Sequence, residues 1–175
     1  MNKLISISII TLSMLSPAIV HAAHPKPADE AAAPFDVDKS SFVKMVTSSN
    51  AFEIESSRLA EQKAKDANVK AFAKEMVADH TKAGDALKSA AKLGDEAPQL
   101  SPKHAAMLEL LKGASDQDFQ PLYVDMQAQG HVEAVSLFAT YAKSGDDAAV
   151  KAFAVKTLPK LEMHKSHVMK LVAEQ

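Results

Sequence analysis

Four side chains in this chain have types and spacings that can do chemistry. His80, His131 and His164 each occupy a position where a helical repeat calls for an apolar residue. The rows are Phe72, Met76, His80, Ala83, Leu87; then Tyr123, Gln127, His131, Ala134, Phe138; then Thr157, Leu161, His164, Val168, Leu171. Steps of three and four place each row on one helix face, so each imidazole is directed at a core. Glu53 stands at the edge of an earlier row, Phe42, Met45, Ser49, Phe52, Ser56, Leu59, in a segment that offers no histidine. A buried carboxylate is costly unless paired or coordinated. Imidazoles with a carboxylate suit one iron, zinc or copper ion. Glu53, His80, His131 and His164 are therefore the candidate metal ligands, and no residue is assigned as catalytic or as binding an organic cofactor. Asp79 follows its own direction, about 100° around the helix from His80. Tyr123 and Gln127 lie on the turns before His131. These three are candidates to orient the ligands from outside. The same four core residues can also hydrogen-bond one another with no ion, and both readings stand at this point.

Other chemistry finds less support. A di-iron centre uses Glu-x-x-His on two helices, but Val77, Ala128 and Leu161 stand three residues before the core histidines. The chain has no cysteine, which excludes thiolate nucleophiles, thiolate metal sites and disulfides. It has neither a Gly-rich phosphate loop nor a G-x-S-x-G element. Ser48, Ser49, Ser56 and Ser57 read as small packing residues, and the methionines of the helical segments as core filler. His24 and His104 read as solvated and His167 as peripheral. Lys plus Arg total 20 against 22 Asp plus Glu; that near-balance argues against a nucleic-acid partner.

The elements that must carry these residues are helices. Hydrophobic residues make up 47% of the chain, but aromatics only 5%, and Ala, Lys, Leu, Val and Met dominate, a composition for helix-on-helix packing. Four long helical segments follow Asp38. Asn68 reads as the cap of the second, and Ser101-Pro102 starts a short extra helix that stops at Gly113. Ser115 or Asp118 caps the third long helix, and Pro159 is expected to kink the fourth. Short turns close the first and last pairs into antiparallel hairpins, and a long connection holding the short helix joins them. This is the ferritin-like variant of the four-helix bundle. A repeat supports it: VKAFA occurs at residues 69–73 and again at 150–154. Before the bundle, residues 1–22 have the pattern of a Sec signal peptide, with Lys3, an apolar run and a cleavage site after Ala22. That implies export to a bacterial periplasm with no transmembrane anchor after cleavage. Residues 23–37 read as a flexible lead, and residues 38–175 as the bundle domain.

Several of these pieces together resemble the ferritin-like "domain of unknown function 4142" family of exported bacterial proteins. They are Phe52-Glu53-Ile54-Glu55 with Leu59-Ala60, Phe72-Ala73 with Met76-Val77-Ala78-Asp79-His80, Tyr123 with Gln127 and His131, and Leu158-Pro159 with His164. The resemblance spans roughly Asp38 to Val172. It implies a helical bundle and export, and no established activity. The leading expectation is a periplasmic protein whose core holds a single metal ion, with a role in envelope stress or metal handling. The alternative is a non-catalytic interaction module whose His/Glu layer is structural. Enzymatic activity is the less favoured reading; in that case the protein is a mononuclear metal oxidase or hydrolase with an open coordination position.

Overall fold

Four of the five helices begin where a short polar side chain takes over backbone donors that the first turn leaves free. In the computed structural model, which describes residues 37–175, the Asp38 carboxylate accepts from the Ser41 amide at 2.7 Å and opens α1, Lys39–Lys63. Asp66 accepts from the amides of Asn68 and Val69 and opens α2, Ala67–Ala91. Asp66 is therefore the cap, and Asn68 lies inside the helix, because its own amide is one of the donors being capped. Ser101 accepts from the His104 amide ahead of Pro102 and opens α3, Pro102–Gly113. Asp118 stands at the start of α4, Phe119–Ser144, without a capping side-chain bond; its carboxylate instead accepts from the Ser115 hydroxyl at 2.6 Å. Asp147 accepts from Ala149 and Val150 and opens α5, Ala148–Ala173. No strand occurs among the described residues. None of these helices is long and apolar enough to cross a membrane.

The result is an all-α helical bundle. α1 packs along α2, and α4 along α5; α2 also meets α5, and α1 meets α4, while α3 lies against α1 and α4. The repeated VKAFA segments follow the equivalent caps Asp66 and Asp147, and both bury their Val, Phe and second Ala. The buried side chains form two apolar clusters. One gathers Phe52, Phe72, Met76, Phe119, Tyr123 and Val168; the other gathers Phe42, Leu87, Phe138, Tyr141, Phe153 and Leu161. On α2, α4 and α5 the core histidines fall between the residues given to one cluster and those given to the other.

Two sequence expectations are corrected here. The buried face of α1 is rotated from the expected row: Val46, Glu53 and Ala60 are buried, whereas Met45 is 48% exposed. The reason is that α1 packs on both α2 and α4, and the small and polar side chains fit that double contact. Met76 and Met126 fill the core, but Met163 and Met169 lie on the exposed face of α5. Pro159 lies inside α5, as the sequence places it, and is exposed together with Val155. The carbonyl that loses its donor is that of Val155, on a face where water can replace it. The proposed signal peptide (1–22) and all of the lead except Val37 lie outside the described residues. Val37 itself is buried in the second cluster.

Candidate metal centre

His80 of α2, His131 of α4 and His164 of α5 are all buried. Their ring centroids lie 5.4 to 5.7 Å apart. One ring nitrogen from each lies within 4.8 Å of one from each of the others. The second nitrogen of each ring is held from outside. His80 Nδ1 meets Asn50 Oδ1 at 2.7 Å, His131 Nδ1 meets the Gln127 carbonyl at 2.9 Å, and His164 Nε2 meets Asp79 Oδ2 at 3.1 Å. All three partners are acceptors, since the Asn50 amide nitrogen donates to the His80 carbonyl at 2.6 Å. Each imidazole therefore carries its proton on the outward nitrogen. That leaves His80 Nε2, His131 Nε2 and His164 Nδ1 as bare lone pairs, and these three atoms are buried without a partner among the described residues.

Electrostatics reinforce this protonation pattern. Burial, followed by the charges that His131 and His164 would carry, holds His80 well below the usual histidine range. Burial brings His131 down to about 4, against a small opposing effect of the Gln127 carbonyl. Burial also lowers His164, opposed first by its bond to Asp79. For Asp79, burial acts upward, but His164 and Lys160 together outweigh it and hold the carboxylate below its usual range. Lys160 Nζ lies 3.2 Å from Asp79 Oδ2.

Glu53 is buried, but it does not join the three-histidine cluster. Its Oε2 has no partner, and its Oε1 lies at the backbone of Gly130, where an added Cβ would come within 3.0 Å. Burial pushes Glu53 up to about 8, with the Gln127 side chain acting in the opposite direction. Of the three expected orienting residues, Asp79 holds His164. Gln127 holds His131 through its main chain, while its side chain donates to Ser56 at 3.2 Å. Tyr123 pairs with Ser57 at 2.9 Å and bonds none of the three histidines; burial keeps its phenol above the usual range.

Two features escaped the sequence reading. Asn50 orients His80; it lies four residues after Val46 and three before Glu53, on the buried face of α1, and that spacing is the signal the sequence offers. Gly84 faces it, and a Cβ there would approach Asn50 Nδ2 to 2.8 Å. The second feature is His104, expected to be solvated, which is half-buried, meets Ser48 Oγ at 2.6 Å and stacks on Phe52. His104 lies on α3, and a contact across 56 residues leaves no periodic trace. His167 is peripheral as expected, 3.2 Å from Glu75. Glu75, Asp79 and His164 form a second, partly buried group with ligand-type atoms within 4.8 Å; His24 lies outside the described residues.

No curated protein and no solved structure matches the chain significantly. The family described as Domain of unknown function (DUF4142) matches residues 24–171, most of the chain, and the chain belongs to that family.

Proposed function

We propose that this protein is a ferritin-like four-helix bundle of two antiparallel hairpins that holds a single divalent metal ion on His80, His131 and His164. The observation that carries the reading is three imidazole nitrogens buried without a partner, on rings 5.4 to 5.7 Å apart whose other nitrogens each face an acceptor. A metal-free network needs at least one N–H between the rings. Here Asn50, Gln127 and Asp79 draw those protons away, and a cation is what satisfies three converging acceptors. Neutral imidazoles suit zinc, iron or copper. Glu53, buried nearby with an unpaired oxygen, is the remaining candidate ligand and the charge that would offset the ion. Three protein nitrogens leave a coordination position open, and an ion bound there would supply Lewis-acid or redox chemistry.

The N-terminal pattern of residues 1–22 supports placing this function in the periplasm, where the protein would act in metal handling or envelope stress. The test is elemental analysis of the exported protein, purified without chelator or affinity metal. The expected result is near-stoichiometric iron, zinc or copper that His80→Ala and His131→Ala each remove. Absence of metal, with no uptake on reconstitution, overturns the reading and makes the layer structural.

A further inference from the structure

A cavity of about 830 Å³ opens on the α1 side of the bundle, between α1, the 92–101 connection and α4. That size is typical of chambers for small organic ligands. Its walls are mainly apolar, with Val46, Phe52, Leu93, Leu100, Leu137 and Phe138 among them. The connection is tied down over it: the Ser101 amide donates to Ser48 Oγ at 2.7 Å, and Ser48 Oγ shares a hydrogen bond with His104 Nδ1 at 2.6 Å. Glu53, Gly130 and His80 also line the cavity.

We propose that this cavity is a binding chamber for a small, neutral, largely apolar molecule with one hydrogen-bonding oxygen, seated with that oxygen toward Glu53. Two residues of the inner wall keep an atom without a partner among the described residues, Glu53 at Oε2 and His80 at Nε2, and the second is the atom assigned to the ion. Asn50 is engaged by His80, and Ser48 by His104 and Ser101. Glu53 retains an oxygen without a partner, and its other oxygen reaches Gly130 on the same wall. The cationic residues of the lining, Lys44 and Lys103, are exposed, and Lys103 is held by Glu133 at 2.6 Å. An anionic ligand would therefore bury its charge beside a carboxyl group with no cation to meet it. His131 and His164 do not line the chamber, whereas His80 and Glu53 do, so the inference rests on the Glu53 oxygen staying free of the ion.

The test is calorimetric titration of the mature protein and of His131→Ala with 1-naphthol, naphthalene and 1-naphthoate at neutral pH. Naphthol is expected to bind with a Kd of about 100 µM or tighter, and naphthoate at least about tenfold more weakly. Glu53→Leu is expected to abolish the preference for naphthol over naphthalene. Ala134→Phe and Ala83→Leu, two independent fillings of the lining, are expected to weaken naphthol about tenfold while helical circular dichroism is retained. No saturable naphthol binding, equal binding of naphthoate, a naphthol preference that survives Glu53→Leu, or undiminished binding in a folded filling variant overturns the proposal. His131→Ala separates the two readings. It should lose metal and keep naphthol binding; a protein that never holds metal yet binds naphthol refutes only the metal site.

Discussion

The chemistry of the core turns on where three protons sit. Asn50 Oδ1, the Gln127 carbonyl and Asp79 Oδ2 each take the outward N–H of one imidazole, which fixes the tautomer and turns the other nitrogen inward. Asn50 is the most exposed point of failure in this arrangement, because its amide holds His80 at both the ring and the main-chain carbonyl. Asn50→Ala is expected to weaken metal affinity about 10- to 100-fold and to cost about 1–3 kcal/mol of stability, since it strands buried polar atoms. Competitive metal titration and urea unfolding measure the two effects. Gly84→Ala tests the same contact from the opposite helix. The added Cβ would sit 2.8 Å from Asn50 Nδ2, so metal affinity should fall in the same direction although no hydrogen-bonding group is removed. Unchanged affinity in both variants would show that His80 needs no support from Asn50.

At the level of helices, the two VKAFA segments behave as copies of one start. Each follows an aspartate that accepts from two backbone amides, Asp66 for α2 and Asp147 for α5, and each sends its Val and Phe into an apolar cluster. Asp66→Ala should cost about 1 kcal/mol and Asp147→Ala should act in the same direction, each read as a lower midpoint in urea with unchanged slope. Asp147 has a second duty, since Lys39 Nζ meets its carboxylate at 2.8 Å and links the starts of α1 and α5. That pair is partly exposed and screened by solvent, so it adds little. Asp147→Asn, which can still cap, should therefore recover most of the loss. Metal content should stay unchanged in all three variants, because the caps lie far along the chain from His80 and His164.

Across the bundle, the polar layer makes stability depend on pH in two opposed ways. The histidine values are depressed in the fold. Between the ordinary value of 6.5 and the folded value of about 4 for His131, the unfolded chain therefore binds more protons. Stability from these groups is present above pH 6.5 and is lost as pH falls through that window. For His131 alone the loss is about 3 kcal/mol. Glu53 is raised from 4.5 to about 8, so its contribution is present below pH 4.5 and is lost as pH rises through 8. The metal-free protein should thus be most stable near pH 6, and chemical unfolding across pH 4–9 should trace a dome. Glu53→Gln should flatten its alkaline side. Acidification should also release the metal, because protons compete for the same lone pairs.

The helices, their order, the repeat and the three inward histidines were legible in the chain itself, because 3.6-residue periodicity and capping residues are local properties. The same local rules placed His131 and His164 on buried faces and Ser101-Pro102 at the head of α3. The rotation of α1, the burial of His104, the support of His80 by Asn50 and the chamber beside Glu53 depended on tertiary structure. Each arises from contacts between segments distant in sequence: Asn50 with His80 across thirty residues, and Ser48 with His104 across fifty-six. Periodicity says which face of a helix is buried, but not which neighbour covers it. Only the packing of α1 against both α2 and α4 decides where its polar side chains end and what they hold.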